Sequence, residues 1–238
     1  MKGYLLLVGM ATLGVLILAA CGGGGEDVAQ TTPAAINPAD FQATIDNPMF
    51  PLSSLGPKVF EGEEPDPDTG ELIQTRLEST VLADTDTVAG VEVLVLEEKD
   101  YENGEIVERT LDYFAQHKDG SVWYFGERVD GYEGGKVVGH EGQWLAGEGD
   151  NQPGIYMPAE PRVGEEFAQE MAPGIAEDRF KVVALDQAVT TPAGDFSGCL
   201  KTEDFSPLDN VTEYKYYCPG VGLVREEPPG SHLDLVSY

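Results

Sequence analysis

From about residue 58 onward, apolar and polar residues alternate in short runs rich in Val, Thr, Tyr and Phe, and Gly, Asn, Asp and Pro separate the runs. A period of two places successive side chains on opposite faces, so these runs predict half-buried β-strands. They fall at residues 59–61, 72–83, 91–101, 105–118, 121–129, 136–147, 179–189, 195–205, 211–218 and 222–227. Glu102-Asn103-Gly104 joins two of them, and Asn-Gly tolerates the positive φ of a tight hairpin turn. Lys118-Asp119-Gly120-Ser121 repeats the device. Each hairpin links neighbours in sequence, so the sheet should follow chain order. Residues 150–167 hold three prolines and two glycines, which predicts a long loop crossing an end or edge of the sheet. Apart from a possible helical turn at residues 38–45, no amphipathic helix is visible. The fold class expected is mainly β: one domain of about ten antiparallel strands in meander order, a strongly curved or barrel-like sheet, and little helix.

Alternation also places Tyr113 opposite Phe114, and Trp123 and Phe125 opposite Val122 and Tyr124. Both faces of this hairpin are therefore partly apolar. A pair of strands covered on both sides satisfies that, and so does a barrel with a cavity for a hydrophobic small molecule.

The first residues follow a different rule. Lys2 is the one charge before an apolar stretch from Tyr4 to Ala20 that holds no Asp, Glu, Lys or Arg, the layout of an export signal. Leu18-Ala19-Ala20-Cys21 resembles the lipobox of bacterial lipoproteins. The resemblance implies that the Cys21 thiol carries diacylglycerol and that cleavage makes it the first mature residue. Its partner would be the lipid bilayer, at the cell membrane or outer membrane. The glycines that follow, with Thr, Ala and Pro, suit a flexible tether. The expected organisation is a signal peptide at 1–20, a lipidated tether at 21–40 and a β domain at 41–238.

Composition narrows the partners. The chain carries a net charge of −29, and loss of Lys2 with the leader leaves 13 basic against 43 acidic side chains. Such a surface repels nucleic acid, which is not an expected partner. Adaptation to high salt, cation binding and plain solubility each account for the excess. An exported domain meets oxidising conditions, where Cys199 and Cys218 can pair. They lie in consecutive strands, and a hairpin centred between Leu208 and Asp209 sets them face to face.

Catalytic signatures are absent from the sequence. His117, His140 and His232 are scattered, and no nucleophile elbow, zinc-peptidase helix or phosphate loop occurs. A glycosidase could conceal its two acids among so many, and pairs such as Glu97-Glu98 and Glu226-Glu227 do not single themselves out. One local pattern suits a hard cation: Asp66, Asp68 and Glu71 offer oxygens at spaced positions around Gly70, which suggests Ca²⁺. The same residues make a good solvent-exposed β-turn.

Four stretches, NPMFPLSSLGPKVFEGE, TLDYFAQHKDGSVWYFGER, QWLAGEGDNQPGIYMPAEPRVGEEFAQE and EYKYYCPGVGLVRE, resemble a recurrent pattern in exported, β-rich bacterial proteins. The resemblance spans most of residues 47–227 and implies no activity. The expected function is a lipid-anchored, non-enzymatic binding or envelope-structural module that takes a hydrophobic small molecule or an envelope component. A secreted hydrolase of polysaccharides or esters and a calcium-dependent adhesion module are the alternatives.

Overall fold

The computed structural model describes residues 36–66, 69–208 and 211–238; Cys21, Asp68, the leader and most of the tether lie outside them. Strands dominate, as the alternation requires. The first meander comprises β1 (Phe41–Gln42), β2 (Lys58–Pro65), β3 (Leu72–Val81), β4 (Asp86–Val88), β5 (Val91–Glu102), β6 (Glu105–His117) and β7 (Val122–Glu133). Short pieces follow: β8 (Lys136–Gly139), β9 (Trp144–Leu145), β10 (Gln152–Met157), β11 (Glu166–Ala168) and β12 (Glu170–Met171). A second meander comprises β13 (Arg179–Thr191), β14 (Gly194–Phe205), β15 (Thr212–Cys218), β16 (Gly222–Glu227) and β17 (His232–Ser237).

All pairings are antiparallel. The ladder runs β7-β6-β5-β3-β2 and, through β2 against β17, continues as β17-β16-β15-β14-β13-β11. The two meanders are thus joined by the pairing of β17 with β2. On the other side β10 pairs with β7 and also with β12, which follows β11 directly, so the sheet curls into a nearly closed barrel. Closure protects edges that an open sheet of this length would expose.

Among the described residues seventeen strands replace the expected ten or so: β1, β4, β11 and β12 are too short for alternation to register, and the run expected at 136–147 divides into β8 and β9. The loop expected at 150–167 is corrected: its first part is β10. Pro153 sits opposite Glu170, and the ladder to β7 starts at Gly154, so the missing proline N–H falls at the strand's beginning. Gly154 lies so close to the Ala168 and Gln169 carbonyls that a Cβ would collide with them. The last strand, β17, lies beyond the runs expected from alternation, which end at 227. The helical turn near the start shrinks to a 3-10 turn at Pro38–Asp40, capped by Asn37.

Both faces of the β6–β7 hairpin are covered, as alternation predicts. Phe41 packs against Trp123 and Phe125 on one side, with ring centroids 5.6 and 5.3 Å away, while Phe114 stacks on Tyr124 at 4.9 Å on the other. The Cys199–Cys218 disulfide is present, both cysteines buried beside Phe60, Val224 and Leu235. The β14–β15 register, Leu200 opposite Tyr217, is the one that aligns them.

Between β1 and β2 the chain turns inward and plugs one end of the barrel. Ile45, Phe50 and Leu52 are buried, and Phe50 meets Phe114 and Tyr156 with centroids 5.3 and 4.7 Å away. Irregular backbone inside a barrel needs its polar groups satisfied. Gln116 supplies the partners: its Oε1 accepts from the Asp46 and Asn47 N–H groups at 2.8 and 3.0 Å, and its Nε2 donates to Asp46 Oδ1 at 2.6 Å. Asn47 Nδ2 donates to the carbonyls of Gly120 and Pro158.

Candidate functional site

The lumen left beside the plug is a partly enclosed cavity of about 80 Å³. Its walls follow from strand phase. On β6 the inward row reads Glu108, Thr110, Asp112, Phe114; on β5 it reads Leu96, Glu98, Asp100. Register places Leu96 beside Asp112, Glu98 beside Thr110 and Asp100 beside Glu108. The row is apolar near the plug and acidic away from it. Glu127 of β7, Glu170 of β12 and Glu226 of β16 add carboxyls, and Lys58 and Lys215 are the basic residues on the wall.

The neighbouring outward positions are ordinary. Glu97, next to Glu98, pairs with Lys99 and Arg109 on the outer surface at 2.6 and 2.8 Å. Glu227, next to Glu226, accepts from Tyr216 Oη at 3.1 Å on the outside. Each acidic pair is therefore split by the sheet, one member solvated and one lumenal.

Lumenal carboxyls lose water, and desolvation favours their neutral form. Burial, reinforced by Asp112, raises Glu108 to about 7. Asp112 itself rises to about 6 through burial, against which Tyr124 Oη and Thr110 Oγ1 donate at 2.6 and 2.7 Å. Glu98 rises to about 8 through burial and the nearby Asp112. Asp100, Glu127 and Glu170 are pushed well above the usual carboxylate range, again chiefly by burial. Burial lowers Lys58 to about 7, and its ammonium donates to the Leu223 carbonyl at 2.6 Å. For Lys215 burial also acts downward, but Glu213, Glu226 and Asp204 outweigh it and hold the ammonium well above the ordinary lysine value. Its Nζ lies 3.0 Å from Glu213, 3.4 Å from Glu226 and 4.0 Å from Asp204.

Two carboxyls in this lumen are poorly matched. Asp100 is 4% exposed and its Oδ1 has no hydrogen-bond partner; Glu170 is 2% exposed, and its carboxyl faces the Trp144 indole N–H without a well-formed hydrogen bond. Buried polar atoms without partners are costly, and they concentrate where a structure does something other than fold.

The residues singled out in the sequence lie elsewhere. None of the three histidines lines the lumen: Nδ1 of His117 faces Asp119, that of His140 faces Asp130, and His232 sits beside Asp234. In the acidic turn, Asp66 Oδ1 accepts from the Thr69 N–H at 2.8 Å, Thr69 Oγ1 accepts from the Glu71 N–H, and Glu71 is exposed. Asp68, the middle donor of the expected calcium set, falls outside the described residues, as does Cys21. Among the described residues, no three His, Cys, Asp or Glu side chains gather in a way that would hold a metal ion, and no helix is long and apolar enough to cross a membrane. The lumenal acids were missed because a carboxyl reads as surface in a chain this acidic; extending the phase of Leu96 and Phe114 into their polar neighbours would have found them.

No protein-family model and no curated protein matches the chain. Among solved structures it is similar to a crystal structure from Parabacteroides distasonis, provisionally named a lipoprotein, with 79% of this chain and 97% of that one covered at 17% identity and a TM-score of 0.39. A likeness so remote carries no argument about the site.

Proposed function

We propose that this chain is an exported binding protein, anchored to a bilayer through acylated Cys21, that receives a small ligand in the lumen of its barrel. The supporting observation is the cavity itself: a partly enclosed space, aromatic near the plug and acidic beyond it, in which Asp100 Oδ1 lacks a partner. Pockets for drug-sized molecules run to roughly 300–1,000 Å³. At about 80 Å³, this one suits a compact ligand of a few heavy atoms, or on the order of five waters. The tether and lipid supply location, and the barrel supplies recognition.

One observation favours the hydrolase reading: Glu108 and Asp112, with raised pKa values near 7 and 6, share one space, as a catalytic acid and its partner would. Against it, a polysaccharide needs a groove open on both sides of the scissile bond, and a small cavity inside a plugged barrel offers none. Binding is therefore the better reading.

Native mass spectrometry of the full-length protein, released from its own membranes in mild detergent, tests it. An adduct that denaturation releases is the expected result, together with loss of radiolabelled palmitate from Cys21→Ala. A bare polypeptide mass in every preparation overturns the binding role, and persistent labelling of Cys21→Ala overturns the anchor.

A further inference from the structure

Resting on that reading of the lumen, we infer that the ligand is a small primary ammonium compound, its nitrogen among the lumenal carboxyls around Asp100 and Glu170 and its carbon body against the aromatic rings by the plug. Sign comes first. Carboxyls outnumber ammonium groups on the cavity wall, and both lysines are committed, Lys58 to the Leu223 carbonyl and Lys215 to its acidic neighbours. What remains is an excess of acceptors over donors: Asp100 Oδ1 has no partner, and the two Glu170 oxygens share at most the one Trp144 indole N–H. A bound cation favours ionisation of the carboxyl beside it, which releases its proton to water, and the N–H contact then belongs to the strong, charge-assisted class.

The chain's own two alkylammonium groups show the condition this lumen sets: Lys58, donating to the Leu223 carbonyl, is disfavoured by burial, whereas one surrounded by carboxyls is held. Lys215 is 4% exposed, its stem passing through the wall and its ammonium seated among Glu213, Glu226 and Asp204. A free amine entering from elsewhere would find the same chemistry at Asp100 and Glu170.

Metal ions fit less well. Direct coordination of a hard cation needs several oxygens converging on one point, and among the described residues no such group exists. The apolar end is also unexplained by a metal. Phe50, Phe114 and Tyr156 line it with mutual centroid distances of 4.7 to 5.3 Å. Ring faces beside a carboxyl cluster are the combination that binds an organic cation by its charge and its carbon surface together.

The test is calorimetry and thermal unfolding of the detergent-solubilised full-length protein at pH 8 in amine-free buffer, with n-propylammonium, tetramethylammonium, propan-1-ol and Ca²⁺ as probes. Saturable binding of n-propylammonium, with propan-1-ol and tetramethylammonium at least tenfold weaker, is the expected result. Asp100→Asn and Glu170→Gln should each weaken n-propylammonium at least tenfold, whereas Glu97→Gln, on the outer face, should not. Should either lumenal variant fail to fold, the wild-type probe series still decides. Equal binding of propan-1-ol, or saturable Ca²⁺ binding without n-propylammonium binding, overturns the ammonium assignment and leaves the lumen as a binding site. Absence of binding by every probe also overturns it, and the native-mass adduct then shows whether the lumenal reading survives.

Discussion

Glu108→Gln offers the sharpest test of the lumen's electrostatics. The side chain faces the cavity from β6 and is raised from 4.5 to about 7, chiefly by burial and then by Asp112. An acid whose folded pKa lies above its unfolded one binds more protons in the native state, so stability is fully present below the unfolded value and drains away as pH climbs through the folded one. A shift from 4.5 to about 7 makes the native state bear about 3 kcal/mol at pH 8.5 but under about 1 kcal/mol at pH 5. Glutamine keeps the shape and cannot ionise. Glu108→Gln should therefore gain about 2 kcal/mol relative to wild type between pH 5 and pH 8.5, somewhat less where neighbouring acids take over the proton. Guanidinium unfolding at both pH values, in amine-free buffer, measures the difference. A variant equally destabilised at both, or a wild type that grows more stable from pH 5 to 8, would refute the picture of a desolvated acidic lumen.

Removing the bridge by Cys199→Ala with Cys218→Ala should cost about 3 kcal/mol in the chain-entropy treatment of a 19-residue separation. Denaturant midpoints with and without reductant check this, and a reductant-insensitive wild type would count against it. Gln116→Ala strips the plug of its partners and leaves the buried N–H of Asn47 unmatched, a loss of about 2–3 kcal/mol with faster hydrogen exchange at residues 45–50. Unchanged exchange there would mean that apolar packing of Phe50 alone holds the plug.

Strand phase explains how far the sequence can be followed. Val91 to Tyr101 and Glu105 to Lys118 announce their strands because Val91, Val93 and Val95 in the first, and Leu111, Tyr113 and Ala115 in the second, recur at every second position, and Asn103-Gly104 fixes the hairpin between them. The Cys199–Cys218 register was likewise legible, since a hairpin's pairing follows from its midpoint. The site was half legible. Its residues stand in plain alternation after Leu96 and before Phe114, but Glu98 looks no different from its solvated neighbour Glu97 until the sheet is curved.

By itself, then, the sequence determined what depends on neighbours along the chain: strands and their turns, the hairpin that carries the disulfide, and the lipobox pattern at Cys21 that makes export the expected setting. Only the tertiary structure decided what depends on closure. The pairing of β17 with β2, and of β10 with β7 and β12, joins residues far apart in the chain, and no local pattern encodes those contacts. Closure turns one face of the strands into an interior. Carboxyls that an open sheet would leave in water are desolvated there, and residues that read as acidic surface come to line a cavity.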